Sequence, residues 1–217
     1  MLSEATKNDY LCFGRNRSSN RPLMKSGAGP SILEGAPFTK NNVSFSKSFR
    51  YMVDYCDPFV LYKQYPSGGK ILQMNGLKVS SSDYKDIMAI AKFLAKNGHE
   101  VKVLHAVHYK DPLYRKVYGD LIGTRYYRKC PDLFIDGCFY EYESYDRPFK
   151  SRKISHMLKR GAEQASRIII DNNKGASDRF IINMIENRLK DKSFRGDIEE
   201  VYVYEKGTVR LLFKKKR

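Results

Sequence analysis

The chain has 217 residues, and its 40 Lys and Arg against 24 Asp and Glu give a formal net charge of +16. Such an excess of cations favours nucleic acid or an anionic membrane as the partner, and the alternative is a basic protein with no specific ligand. The sequence has no apolar run of membrane-spanning length, no signal pattern and no lipidation motif. We therefore expect a cytoplasmic protein with no membrane partner.

Two segments precede the main domain. Residues 1–42 are rich in Ser, Asn, Gly, Pro and basic residues without sustained periodicity, which predicts a flexible basic arm. Residues 43–80 form an extension in which two apolar runs between Phe59 and Met74 flank Gly68 and Gly69. This pattern predicts a small hairpin that packs on the main domain.

The main domain is predicted over residues 81–217. A helix begins at Asp83, a suitable cap, repeats apolar residues at helical spacing and ends at Asn97 and Gly98. A strand over 100–104 follows. An irregular connection rich in Tyr and Arg then continues through Tyr127.

The rest of the domain alternates strands and helices. Asp136 and Gly137 separate two apolar runs, which is a strong hairpin signal. Thereafter the pattern predicts helices over 153–166 and 177–190 and strands over 167–171, 200–204 and 208–213. The expected fold is a nuclease-like α/β (α+β) domain around a central mixed sheet, in the order helix, three strands, helix, strand, helix, two strands.

Three carboxylates mark a candidate site on the hairpin. Asp132 opens its first strand, while Glu141 and Glu143 alternate along the second and so share one face of the sheet. Converging carboxylates suit Mg²⁺, with Asp132 and Glu141 as ligands. The alternative is an exposed strand face on which the charges serve solubility.

A second set of residues suits RNA cleavage without a metal. That reaction needs a general base for the 2′-hydroxyl, a cation for the phosphate and an acid for the leaving oxygen. The candidates are Glu141, His105 or His156, and Lys159 or Arg160, although each also has an ordinary packed or solvated interpretation. Gln164, one turn after Arg160, can point its amide at the carboxylates or cap a neighbouring backbone group.

Aromatic and basic residues alternate in the connection before Asp132. Rings that stack on bases and cations that meet phosphates are typical of a surface for single-stranded or looped RNA, and the alternative is ordinary tyrosine packing. The candidate nucleic-acid contacts are Arg125, Tyr126, Tyr127, Arg128 and Lys129, with Arg160 and Arg188 on the later helices.

The element order, with Pro131-Asp132 on the second strand and Glu141-x-Glu143 on the third, resembles the PD-(D/E)xK nuclease superfamily. The resemblance implies that Asp132 and Glu141 bind the metal. Glu143 stands where that pattern has the lysine that activates water. The basic role would then pass to Lys159 or Lys153 on the following helix.

A more specific resemblance covers residues 89–213. Residues 91–101, Asp136-Gly137, the run from Lys159 to Gln164 and the apolar strand 168–171 are similar to the C-terminal tRNase domains of contact-dependent growth inhibition (CdiA-like) toxins and their mobile-element relatives. Some such toxins have instead the barnase, colicin and RelE-like fold, which cuts RNA without metal, so Mg²⁺ dependence stays open.

The resemblance implies a nuclease that acts on RNA in preference to DNA, with tRNA as the favoured substrate and a cognate immunity protein as a partner. The alternative is a nuclease-like domain that has lost its chemistry and serves as a nucleic-acid-binding or regulatory module of a mobile element.

Overall fold

The computed structural model describes residues 57–77, 83–145, 151–173 and 175–216. The arm predicted over 1–42, and residues 43–56 of the extension, lie outside these ranges. The described elements are β1 (Phe59–Gln64), β2 (Lys70–Met74), α1 (Tyr84–Lys96), β3 (Glu100–Val103), α2 (Pro112–Tyr118), β4 (Leu133–Ile135), β5 (Cys138–Glu143), α3 (Ser151–Ala162), β6 (Arg167–Asp171), α4 (Asp178–Lys190), β7 (Glu200–Glu205) and β8 (Thr208–Lys214), with a 3-10 turn at Gly119–Leu121.

The eight strands form one mixed sheet in the order β1-β2-β3-β4-β5-β6-β7-β8. The pairs β2–β3, β5–β6 and β6–β7 are parallel, and the other neighbours are antiparallel. Each parallel pair is joined through one of the helices α1, α3 and α4, as a parallel crossover requires. The mixed α/β sheet expected from the sequence is confirmed, and the β1–β2 hairpin continues it because β2 pairs with β3.

Two hairpin turns depend on left-handed backbone conformations. Asp136 and Gly137 have φ of 46° and 89°, and Lys206 and Gly207 have φ of 49° and 82°. Two successive residues with positive φ match the tight turns that follow the twist of the flanking strands. The hairpin predicted at Asp136 and Gly137 is therefore present, and it fixes which β5 residues share a face.

The two faces of the sheet carry different chemistry. On one face Tyr140 and Tyr142 of β5 pack edge-to-face against Tyr202 and Tyr204, with ring centroids 5.6 and 6.5 Å apart. On the other face β6 and β7 pack against α3 and α4 through a core of buried Ile, Val, Leu and Met side chains. Strand alternation places Glu141 and Glu143, which pair with Ile168 and Ile170, on this second face.

The connection between β3 and β4 is more ordered than the sequence indicates. It contains α2, whose first residue is Pro112 and whose cap is Asp111, with Oδ1 accepting from the Leu113 N–H at 2.8 Å. Tyr114 and Tyr118 are buried, 1% and 0% exposed, in a separate core cluster beneath this connection. The expectation of an irregular connection was wrong, because these two tyrosines pack inward.

Two helix ends also differ from expectation. Helix α3 ends at Ala162 and not near residue 166, so Gln164 lies in the following turn, where its N–H donates to the Gly161 carbonyl at 2.9 Å. Asp83 precedes α1 but does not cap it; its Oδ1 accepts from the Ser144 hydroxyl at 2.8 Å. Within the described ranges, no helix combines the length and apolar character needed to cross a membrane.

Candidate functional site

Asp132 and Glu141 are tied together across the start of β4 and the middle of β5. One carboxylate oxygen of Asp132, Oδ2, accepts from the Tyr142 N–H at 3.1 Å. The Asp132 N–H in turn donates to the Glu141 carboxylate. Each side chain is partly buried. The hairpin therefore brings these two predicted residues side by side.

Glu143 lies on the same face, and its carboxylate is paired with Arg160. Its side chain is 2% exposed, and Arg160 donates to both carboxylate oxygens, from Nε at 3.2 Å and from Nη2 at 2.5 Å. A two-bond contact of this kind uses the planar fork of the guanidinium and is among the stronger charged hydrogen bonds. Glu143 thus has both oxygens engaged.

The pKa values of Asp132, Glu141 and Glu143 are all raised above the ordinary values of these side chains. Burial raises the pKa of Asp132 to about 6, with the Asp83 charge adding to the rise and the hydrogen bond from Tyr142 opposing it. Burial raises the pKa of Glu141 well above its ordinary value, and the charges of Asp132 and Glu143 act in the same direction. Like charges so close cannot all ionise near neutral pH.

The Glu143 carboxyl follows the same trend. Burial raises its pKa to about 7, and the hydrogen bonds and charge of Arg160 oppose that rise. Asp83 belongs to this acidic group because its charge contributes to the raised pKa values of both Asp132 and Glu143. The sequence suggested only a capping role for Asp83, and the polar run before α1 gives no signal of its place beside β5.

Glu141 has one oxygen with no internal partner. Its Oε2 atom is buried, and within the described part of the chain no hydrogen-bond donor reaches it. A buried acceptor without a partner costs roughly 1–3 kcal/mol. Such an atom is expected where a proton, a cation or a ligand group binds.

The carboxylates can hold a magnesium ion only as two ligands that water and substrate phosphate complete. Across the described ranges, no set of three or more His, Cys, Asp or Glu side chains is arranged to hold a metal. Mg²⁺, however, is usually held by one or two carboxylates together with water and substrate phosphate. Asp132 and Glu141 fit that mode, with Glu141 Oε2 as the open ligand atom.

Among the described residues, the other candidates on α3 form no hydrogen bond or ion pair with these acids. Lys159 is exposed, and its charge helps to lower the pKa of Asp191, after the hydrogen bonds that Ser193 makes to that carboxyl. Lys153 is half-buried and His156 is exposed. The helix cation that contacts a site carboxylate is Arg160, one of the two cations that the sequence offered for metal-free cleavage, whereas the superfamily resemblance offered Lys159 or Lys153 for the activation of water.

Arg188 is engaged by protein groups. Its Nη2 donates to the Ser155 hydroxyl and to the Ser155 carbonyl, Nη1 lies 3.6 Å from an Asp191 oxygen, and its guanidinium lies 5.6 Å from the Phe194 ring centroid. These contacts link α3 to α4 and the following turn. A guanidinium held in this way has little capacity left for a phosphate.

His105 lies at the carboxyl end of β3 with both ring nitrogens next to backbone carbonyls. Nε2 is 2.9 Å from the Asn75 oxygen and Nδ1 is 3.1 Å from the Ala106 oxygen. The hydrogen bonds of the ring therefore tie the end of β3 to the turn after β2. They do not connect His105 to Asp132 or Glu141.

A cleft of about 530 Å³ opens between residues 106–109, residues 128–130 and Gln164. Arg128 stacks there on two rings, with its guanidinium 4.4 Å from the Tyr109 centroid and 5.4 Å from the Tyr127 centroid. Lys129 also lines the cleft. Arg125 is exposed and lies 5.9 Å from the ring centroid of half-buried Tyr126, and neither of these two residues lines the cleft.

The cleft adjoins the carboxylates through Cys130. This residue lines the cleft, and its thiol pKa is raised first by burial and then by the charges of Glu141 and Asp132. Burial raises the pKa of the Tyr118 hydroxyl, and the charges of Asp132 and Glu141 add to this rise. Asp132 and Glu141 do not line the cleft themselves, and the cleft approaches them at Cys130, two residues before Asp132.

Comparison of the chain with family models, with curated proteins and with solved structures finds no match in any of the three. The functional conclusion therefore depends on the geometry of the carboxylates and the cleft.

Proposed function

We propose that this protein binds RNA in the Arg128 cleft and cleaves a phosphodiester bond at Asp132 and Glu141. The observation that carries the proposal is the pair of linked, partly buried carboxylates with raised pKa values beside a basic cleft. Perturbed acids in a cleft are a physical indication of a catalytic site. By the toxin-domain resemblance, tRNA is the favoured substrate and a cognate immunity protein is the expected protein partner.

Charge and ring chemistry support RNA as the ligand. The chain carries a formal net charge of +16, and Arg128 and Lys129 line the cleft. Tyr127 is 39% exposed beside them. Exposed rings and guanidinium planes suit the unstacked bases of single-stranded and looped RNA better than a regular duplex.

The raised pKa values of the two carboxylates suit the acid and base roles of such a reaction. With a pKa of about 6, Asp132 is mostly ionised at pH 7 and can accept the proton of the attacking hydroxyl. Burial and the charges of Asp132 and Glu143 raise the pKa of Glu141 well above its ordinary value, and this shift favours Glu141 as the acid for the leaving oxygen. The cations of the cleft neutralise the phosphate. In the alternative metal-dependent scheme both carboxylates would be ionised and would hold Mg²⁺, which would supply Lewis-acid stabilisation of the phosphate charge.

The chain order supports a nuclease-like interpretation of this site. Apart from α2, which is inserted between β3 and β4, the elements from α1 to β6 follow the α-β-β-β-α-β order of the PD-(D/E)xK resemblance, with Asp132 and Glu141 in its acidic positions. Glu143 occupies the position of the lysine in that pattern.

The ion pair of Glu143 supports a second candidate function. With both of its oxygens bound to Arg160, Glu143 supplies neither a cation nor an open carboxylate at the position where water would be activated. An RNA-binding module without cleavage would have the same basic cleft. The two functions differ only in whether bound RNA is cut.

The test is incubation of the protein with total tRNA, with Mg²⁺ and separately with EDTA, followed by gel analysis. We expect site-limited cleavage that Asp132→Asn and Glu141→Gln each abolish while RNA binding persists. The matched control is Asp178→Asn, which removes an exposed carboxylate paired with Arg210 on the surface. It should cleave like the unmodified protein.

The same experiment separates the alternatives. Cleavage that persists in EDTA assigns the chemistry to the carboxylates alone. Cleavage that requires Mg²⁺ assigns a metal to them. Tight RNA binding without cleavage under any condition would refute the nuclease and leave the binding module.

A further inference from the structure

Gln164, which lines the cleft, carries a buried side-chain oxygen that no group of the described residues satisfies. Gln164 Oε1 is buried, and among the described residues it has no hydrogen-bond partner. Its backbone is held in the turn after α3 by the bond from its N–H to the Gly161 carbonyl, 2.9 Å long. A buried amide oxygen of this kind requires a donor. Phosphate groups have only acceptor oxygens near neutral pH, whereas every RNA base carries an N–H donor on its Watson–Crick edge.

From this we infer that the cleft is a nucleobase pocket, in which one RNA base donates to Gln164 and stacks against Arg128. The inference rests on the proposed RNA function and names the part of the substrate that this cleft recognises. Its volume of about 530 Å³ lies within the roughly 300–1,000 Å³ common for small-molecule sites.

Arg128 is prepared for stacking by its surroundings. Its guanidinium lies 4.4 Å from the Tyr109 ring centroid, and the His108 ring lies 4.6 Å from that of Tyr109, so planar groups are already layered at the cleft. Guanidinium planes and rings are the surfaces on which proteins stack unpaired bases. The described part of the chain contains no ion pair of Arg128, which leaves its charge available to RNA.

The backbone at Arg128 is also unusual. Its φ is 72°, and its N–H donates to the Tyr114 hydroxyl at 2.8 Å. A non-glycine residue in this left-handed region carries strain of about 1 kcal/mol or more and is held there only by its surroundings. Tyr114 is buried, so the contact fixes Arg128 at the mouth of the cleft. Strained residues of this kind are concentrated at ligand sites.

The position of Cys130 relates the pocket to the carboxylates. Because this cleft-lining residue precedes Asp132 by only two positions in the chain, a base bound by Gln164 would lie near the phosphate on which those acids act. Base recognition and cleavage would then be coupled, and the protein would prefer certain bases beside the cut.

The experiment measures binding without cleavage. Fluorescently labelled 2′-O-methyl oligomers of adenine, cytosine and uracil, and an abasic oligomer of equal length, are titrated in EDTA with the full chain. We expect the base-bearing oligomers to bind about tenfold more tightly than the abasic one. Gln164→Met should weaken base-bearing oligomers about fivefold and change their ranking, while abasic binding stays the same.

Two further variants keep the result interpretable. Gln64→Met changes an exposed glutamine on β1, at the far edge of the sheet, and should leave all four affinities unchanged. Arg128→Lys keeps the charge and removes the stacking plane, so it should reduce the preference for base-bearing over abasic oligomers even if Gln164→Met does not fold.

The opposing outcomes are distinct. Equal affinities for base-bearing and abasic oligomers, with strong salt dependence, would overturn the pocket and leave RNA binding intact. A uniform loss in Gln164→Met across all four oligomers would also overturn it. No binding of any oligomer would refute the proposed function together with the pocket.

Discussion

The α3–α4 layer and the connection of residues 104–130 lie on the same face of the sheet. Their arginines differ in whether protein groups pair with the guanidinium. In the α3–α4 layer Arg160 pairs with Glu143, and Arg188 binds Ser155 and Asp191. In the 104–130 connection the Arg128 guanidinium lies over the Tyr109 and Tyr127 rings and forms no ion pair among the described residues.

This difference separates structural from ligand-binding cations. A guanidinium that is already bound by carboxylate and hydroxyl groups stabilises the fold and offers little to a phosphate. One that rests on rings keeps its charge and its donors available. Asp132 and Glu141 lie where the two regions meet, so the cations available to a substrate come from the 104–130 side.

The largest expected effect is the loss of stability when the ion pair between Arg160 and Glu143 is removed from the α3–α4 layer. Arg160→Met leaves Glu143, which is 2% exposed, without a cation, and we expect the free energy of unfolding to fall by about 3 kcal/mol at pH 8. Urea titration measures the loss. At pH 5 the loss should be much smaller, because Glu143, with a pKa of about 7, then carries a proton in the folded protein.

The control for this prediction comes from the other region. Arg128→Met removes an exposed guanidinium and should cost less than about 0.5 kcal/mol. The double variant Glu143→Gln with Arg160→Met should recover most of the lost stability. An equal loss at pH 5 and pH 8 would show that the Arg160 pair does not compensate a buried charge.

A smaller effect concerns Asp132 at the junction. Its folded-state pKa of about 6 lies above the unfolded value near 3.9, so the folded protein binds more protons between these values. The contribution of Asp132 to stability is therefore lost as pH rises from about 4 to about 6. Asp132→Asn should be on the order of 2 kcal/mol more stable than the unmodified protein at pH 7.5 in EDTA, and equal to it near pH 4.

Urea midpoints at several pH values measure this difference. Asparagine keeps an oxygen for the Tyr142 N–H, so the packing is preserved. A variant that is less stable than the unmodified protein at pH 7.5 would contradict the raised pKa. The Asp178→Asn protein serves as the control, because that carboxylate is exposed and paired at the surface.

The smallest expected effect is a difference in RNA binding between variants of Arg128 and Arg188. Arg128→Gln should weaken binding of single-stranded RNA about fivefold at low salt and reduce the slope of log affinity against log salt by roughly 0.7, as expected for one lost phosphate contact. Arg188→Gln should leave the slope unchanged and lower stability by about 1 kcal/mol, because its contacts are internal. Equal loss of slope in both variants would remove the distinction between the two regions.

Much of the secondary structure follows from local signals. The helices 84–96 and 178–190 have apolar residues at helical spacing, and the turns at Asp136-Gly137 and Lys206-Gly207 need two residues that tolerate positive φ. Helix α2 had a local signal too, Asp111 before Pro112, but its tyrosines suggested a nucleic-acid surface. Whether a tyrosine stacks on RNA or on its own core depends on contacts distant in sequence.

The sequence by itself determined that Glu141 and Glu143 share a face and that Asp132 approaches them, because strand alternation and a two-residue turn leave no other arrangement. Only the tertiary structure decided that Arg160 pairs with Glu143 while one buried oxygen of Glu141 has no hydrogen-bond partner among the described residues. The tertiary structure also decided that Gln164 and Arg128 line one cleft. The physical reason is distance along the chain: side-chain partners separated by many residues meet only after the sheet and helices have packed, and burial then sets which charges need a partner.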